Sequence, residues 1–180
     1  MSNTGPTPPQ TARLIAAIAG SLAFFVVAPG VIALWIPWRL TCWRLRPLPP
    51  GLVPLRLLGA AIALVGLLGL AACFARFAVQ GLGTPAPVMP PERLVVTGLY
   101  RYVRNPVYVA ILWMLIGQAL LMGSPALAGY ALAVWLGFHL WVLAYEEPTL
   151  REKFGADYAA YRAGVRRWWP RWRAWRASSA

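Results

Sequence analysis

Apolar residues run through this chain in long, nearly unbroken stretches separated by short polar or Pro/Gly-rich segments. Residues 14–36 and 57–75 each hold about 20 of them, the length at which a helix rising 1.5 Å per residue crosses a ~30 Å hydrocarbon layer. A third run covers 107–122, Gly123-Ser124-Pro125 supplies turn chemistry, and a fourth covers 126–145. So short a turn forces the last two helices into an antiparallel hairpin. Pro29-Gly30 lies inside the first run and predicts a bend there, because proline removes a backbone donor. Residues 1–13 read as a flexible N-terminus, 78–104 as a loop outside the bilayer and 146–180 as a charged, amphipathic tail. The pattern predicts an all-α fold: one membrane-embedded domain over residues 1–180, built as a polytopic bundle of about four transmembrane helices.

Composition agrees. The 180 residues are 59% hydrophobic and 12% charged, more apolar than one buried core requires, so lipid must be part of the solvent. Seventeen basic residues against five acidic ones give a net charge of +12, which suits either nucleic acid or an anionic leaflet. The apolar content decides for the leaflet and against a nucleic-acid partner. The run after Arg13 is too long for the core of a signal peptide and reads as a retained helix. With four spans, 13 of the 17 basic residues share one side with both termini, and Arg39, Arg44, Arg46 and Arg56 lie on the other. That bias places the termini in the cytoplasm, at what would be a bacterial inner membrane. Cys42 and Cys73 show neither metal-ligand nor disulfide spacing, and read as apolar filler.

Counting outward from Ser124, Arg104 and Asn105 lie about 20 residues back, and Glu146 and Glu147 about 22 forward. Both pairs therefore sit at nearly the same depth, about 30 Å from the turn. The hairpin brings an Arg-Asn pair beside a Glu-Glu pair, in a chain with only five acidic residues. Mutual neutralisation of interfacial charges is the plainer account. The alternative is a ligand carrying both an ammonium and a carboxylate, bound by glutamate and by the planar fork of arginine. His139 is seven residues before Glu146, on the same helical face and level with Tyr108, which predicts a Tyr108–His139 hydrogen bond. Gln118 and Tyr130 are level in the same way and read as structural glue. Gly129, Ala133 and Gly137 make a small-residue stripe suited to close helix packing. In the tail, Leu150, Phe154, Tyr158, Tyr161 and Val165 recur at helical spacing. The interleaved Trp and Arg residues of 166–176 suit an anchor on anionic membrane lipids.

Gly81-Leu82-Gly83-Thr84-Pro85-Ala86-Pro87 and the segment 94–108, containing Gly98-Leu99-Tyr100-Arg101 and Arg104-Asn105-Pro106-Val107-Tyr108, resemble the isoprenylcysteine carboxyl methyltransferase and phospholipid methyltransferase superfamily. Glu146-Glu147, Leu150, Phe154-Gly155, Tyr158, Tyr161 and Val165 follow at that family's spacing, so the resemblance covers about half the chain. It implies an integral membrane methyltransferase using S-adenosyl-L-methionine, with a pocket closed by C-terminal segments and open to a hydrophobic or lipid substrate. It also implies cofactor-binding roles for Tyr100, Arg104, Asn105, Pro106, Tyr108, Glu146 and Glu147. Where the isoprenylcysteine enzymes commonly carry Arg-His-Pro, this chain has Arg104-Asn105-Pro106, and asparagine cannot act as a base. A carboxylate acceptor needs no base, whereas an amine or thiol must lose a proton, for which His139 and Glu146 are the catalytic candidates. Two other readings stay open: a non-catalytic lipid-binding membrane protein, and a membrane reductase of the sterol-reductase type.

Overall fold

The computed structural model describes residues 27–80 and 94–176, and every regular element among them is helical. Helix α1 spans Val27–Thr41, α2 Pro54–Gln80, α3 Pro106–Met122 and α4 Pro125–Trp141. A π-helical turn, Val142–Glu146, joins α4 without a break to α5, Glu147–Gly164. Helices α2, α3 and α4 each begin with proline, whose missing N–H would have no intrahelical partner there. Gly123, at φ 62°, ends α3 in the left-handed conformation, and Ser124 caps α4 by accepting a hydrogen bond from the Leu127 amide. These residues form the expected hairpin.

Helix α3 is the centre of the bundle, its Ala110, Ile111, Met114 and Leu115 packing with Ala33, Leu70 and Ala131. Helix α2 lies along it at glycine contacts. A Cβ on Gly59 would sit 2.6 Å from the Leu121 amide nitrogen, and one on Gly66 would sit 2.7 Å from the Ala110 carbonyl. Gly117 closes the same seam from the α3 side, against the backbone of Gly59 and Ala63. The Gly129–Ala133–Gly137 stripe does not perform this task. It faces outward, and a Cβ on either glycine would meet nothing within 4 Å.

The bend expected at Pro29-Gly30 lies elsewhere, for Gly30 has ordinary helical angles and α1 widens instead into a π turn at Val31–Trp35. Pro37 explains this. The Ile36 amide bonds to the Val31 carbonyl, and proline has no N–H to give to the carbonyls of Ile32 or Ala33. Tyr130 Oη donates to Ile32 at 3.1 Å and Gln118 Nε2 to Ala33 at 2.8 Å. The two polar residues expected to pair across the hairpin thus repair the backbone of α1. The predicted part of the first span before residue 27, the N-terminus and the Gly81–Pro87 motif lie outside the described residues.

Large apolar side chains point away from the bundle, Leu57 being 78%, Leu140 64% and Leu132 57% exposed. Faces of that kind need lipid rather than water. Two helical stretches, Pro50–Arg76 and Pro125–Gly164, are long and apolar enough to cross a membrane, while Val27–Thr41 and Pro106–Met122 are shorter apolar helices. The Arg46 amide bonds to the Met122 carbonyl, which puts the α1–α2 connection at the turn end of the hairpin, opposite Arg104.

Candidate functional site

Pro106 opens α3, so Arg104 and Asn105 stand at its edge, where the hairpin partner changes from the apolar α4 to the charged α5. Arg104 Nη1 donates to Glu147 Oε1 at 3.0 Å and to the Tyr158 hydroxyl at 3.4 Å. Arg167 Nε donates to the same Glu147 oxygen at 2.6 Å, and Arg162 Nε lies 4.0 Å from the other one. The Glu147 side chain is only 6% exposed. Burial acts to raise its pKa, but the Arg167 hydrogen bond and the charges of Arg104, Arg167 and Arg162 outweigh it and hold the carboxyl below its ordinary value. Glu146, on the last residue of the π turn, faces a different partner: Tyr108 Oη donates to its Oε2 at 3.1 Å. Tyr108 itself stacks on Phe138, with ring centroids 4.5 Å apart.

The expected Tyr108–His139 hydrogen bond is therefore not made. His139 Nδ1 accepts from the Trp168 indole at 3.1 Å, and its ring stacks on Trp135. Adjacent residues on a helix point about 100° apart, so Tyr108 meets Phe138 rather than His139, and the wider π turn shifts the facing of Glu146 relative to α4. Tyr108 thereby falls to Glu146, while His139 is left to the returning tail.

That tail lies across the site as a strap. The Arg104 amide donates to the Arg166 carbonyl at 2.9 Å, Arg171 to Tyr102 at 3.0 Å and Trp175 to Arg101 at 2.9 Å. Asn105 Nδ2 reaches the Arg167 carbonyl at 3.4 Å, and Tyr161 Oη donates to the Tyr100 carbonyl at 2.7 Å. Tyr158, Tyr161 and Val165 are buried against Leu94, Val96 and Trp175, which pins α5 over the segment before α3. Burial drives the Tyr100 phenol well above its ordinary pKa, with the charges of Cys73, Glu146, Tyr161 and Tyr108 adding to the effect.

Arg104 and Asn105 thus stand with Glu146 and Glu147 as the hairpin count predicts, and Tyr108, which the count set level with His139, joins them through Glu146, with Tyr100 beside them. Sequence reasoning gave no place in the site to Arg167, Trp168 or Tyr158. The available signal was the shortage of acids, since a buried glutamate among so many arginines draws in more than one.

A model of the phospholipid methyltransferase family matches residues 55–157, more than half the chain. The chain belongs to that family. The match to this methyltransferase family runs from the start of α2 into α5 and takes in the hairpin, His139 and both glutamates, while the strap at 166–176 lies beyond it. No curated protein and no solved structure matches the chain.

Proposed function

We propose that this phospholipid methyltransferase family member is an integral membrane enzyme that methylates a lipophilic acceptor from S-adenosyl-L-methionine. It forms a single domain of four spans, with the site and both termini on the cytoplasmic face of a bacterial inner membrane. The observation that carries this reading is the meeting of Arg104 and Tyr108 with the adjacent Glu146 and Glu147 inside the family segment.

The donor set fits the amino-acid end of the cofactor. Glu146 uses one oxygen on Tyr108 and keeps the other for an ammonium group. Arg104 Nε is buried with no partner among the described residues, which leaves a donor for a carboxylate, and Arg167 stands beside it. Glu147 holds the two guanidinium groups in place. Asn105 and Pro106 fix the start of α3 and the lie of the strap, and the rings of Tyr100 and Tyr108 provide faces for a cation. When bound, the sulfonium supplies an electrophilic methyl group. The residues of the chain then serve to align the acceptor and keep water out. A carboxylate acceptor needs no proton removed. For an amine or thiol, Glu146 and His139 are the candidate bases, but Glu146 can serve only where it is not holding the ammonium group, and His139 engages Nδ1 with Trp168.

Titrating S-adenosylhomocysteine, the demethylated product, into detergent-solubilised protein tests the reading. Saturable heat is expected, and Arg104→Ala or Glu146→Gln should weaken binding about tenfold or more, as for loss of a hydrogen bond to a charged group. Unchanged affinity in both variants would sink the assignment. Labelled methyl transfer in membranes with and without the protein would then identify the acceptor fraction.

A further inference from the structure

The strap has two faces. Inward, Arg167 binds Glu147, Trp168 binds His139 and Trp175 meets the Tyr161 ring edge-on at 5.5 Å. Outward, Trp169 and Trp172 are 74% and 101% exposed, and Arg166, Arg173 and Arg176 are exposed without a partner among the described residues. No acidic residue follows Asp157 in the chain. Water alone is a poor neighbour for two bare indoles. Their position points to the neighbour: Trp168 reaches His139, seven residues before Glu146 and so about 10 Å further along the apolar helix α4 towards the hairpin turn. Trp169 therefore leaves the site at the level where an apolar helix meets headgroups, the zone tryptophan favours.

We propose that the outer face of the strap docks on anionic lipid headgroups of the adjacent leaflet, and that this docking holds the inner face on the site. The indoles sit among headgroups and upper acyl chains, and the three free guanidinium groups pair with phosphates. One peptide makes both sets of contacts, so lipid that binds the outer face must by linkage favour the state in which Arg167 lies on Glu147. The inference does not depend on methyl transfer.

Limited trypsin digestion of the full chain in nanodiscs tests it, because cleavage at Arg166, Arg167 or Arg171 requires the strap to lift. Replacing phosphatidylcholine discs by discs one-third phosphatidylglycerol (roughly that fraction) should slow loss of the C-terminal fragment by at least about fivefold at low salt, and high salt should reverse the effect. The variant Trp169→Ala/Trp172→Ala/Arg173→Gln/Arg176→Gln removes only outward groups and should be cleaved at the same rate in both discs. Equal rates for the unmodified chain in the two discs would overturn the proposal. So would soluble RNA protecting the strap in neutral discs as well as anionic lipid does, which would make the surface a nucleic-acid site.

Discussion

A carboxylate taken out of water must find charged donors to replace it, and Glu147 has three arginines around two oxygens. Glu147→Gln leaves those cations facing one another with no anion between them, so the substitution should cost on the order of 3 kcal/mol of stability. The pH dependence follows from the lowered carboxyl. Since its folded pKa lies below the unfolded value, the stabilisation is fully present above about pH 4.5 and is lost as pH falls through the folded value. The thermal midpoints of wild type and Glu147→Gln should be well separated at pH 7 and converge as pH falls from 4.5 through the lowered folded value, as scanning calorimetry in detergent can read. A gap that stays constant down to acid pH would mean that the charge of Glu147 contributes nothing.

At the scale of elements, two features carry the packing, the glycine seam between α2 and α3 and the π turn of α1. Gly117→Ala should destabilise by about 1–3 kcal/mol, because the new methyl group meets backbone that cannot rotate away. Gly137→Ala enters open space and should stay within about 0.5 kcal/mol of wild type. The π turn permits a sharper test. Gln118→Leu strips the donor from the Ala33 carbonyl and should cost about 1 kcal/mol. In a Pro37→Ala background the restored amide of residue 37 can serve Ala33 itself, so the cost of Gln118→Leu should largely vanish. Additive costs in the double variant would reject Pro37 as the cause of the π turn. Both features also show what the chain conceals. Depth was legible, because a rise of 1.5 Å per residue is nearly invariant, and so Arg104 and Glu147 could be matched across the hairpin by counting. Rotation was not. The small-residue rule does not say which of two glycine stripes faces a neighbour, and a π turn that swings Glu146 towards Tyr108 leaves no mark in the periodicity.

At the scale of the molecule, the described residues divide into a helical bundle, whose buried cluster draws on α1 to α4, and a strap that bears on the Gly98–Arg104 segment, Glu147 and His139. The tail's chemistry was visible in its Arg and Trp residues, but its return to the site was not. That return combines three backbone hydrogen bonds, which any sequence can make, with the Arg167–Glu147, Trp168–His139 and Asn105–Arg167 contacts, whose partners lie too far apart in the chain for spacing to pair them. The division has a consequence for truncation. Ending the chain after Val165 removes Arg167 from Glu147 and Trp168 from His139, yet takes nothing from the α2–α3 seam, the Ser124 cap or the π turn of α1. Such a protein should keep its helical circular dichroism and remain monodisperse in detergent. It should also show a lowered thermal midpoint and cofactor affinity at least about tenfold weaker than the full chain. A truncated chain that binds S-adenosylhomocysteine as tightly as the full one would restrict the site to the hairpin and leave the strap a membrane contact alone. One that loses its helices would instead make the strap part of the bundle's core, contrary to the separation of the Tyr158–Tyr161–Val165 cluster from the cluster around Leu115.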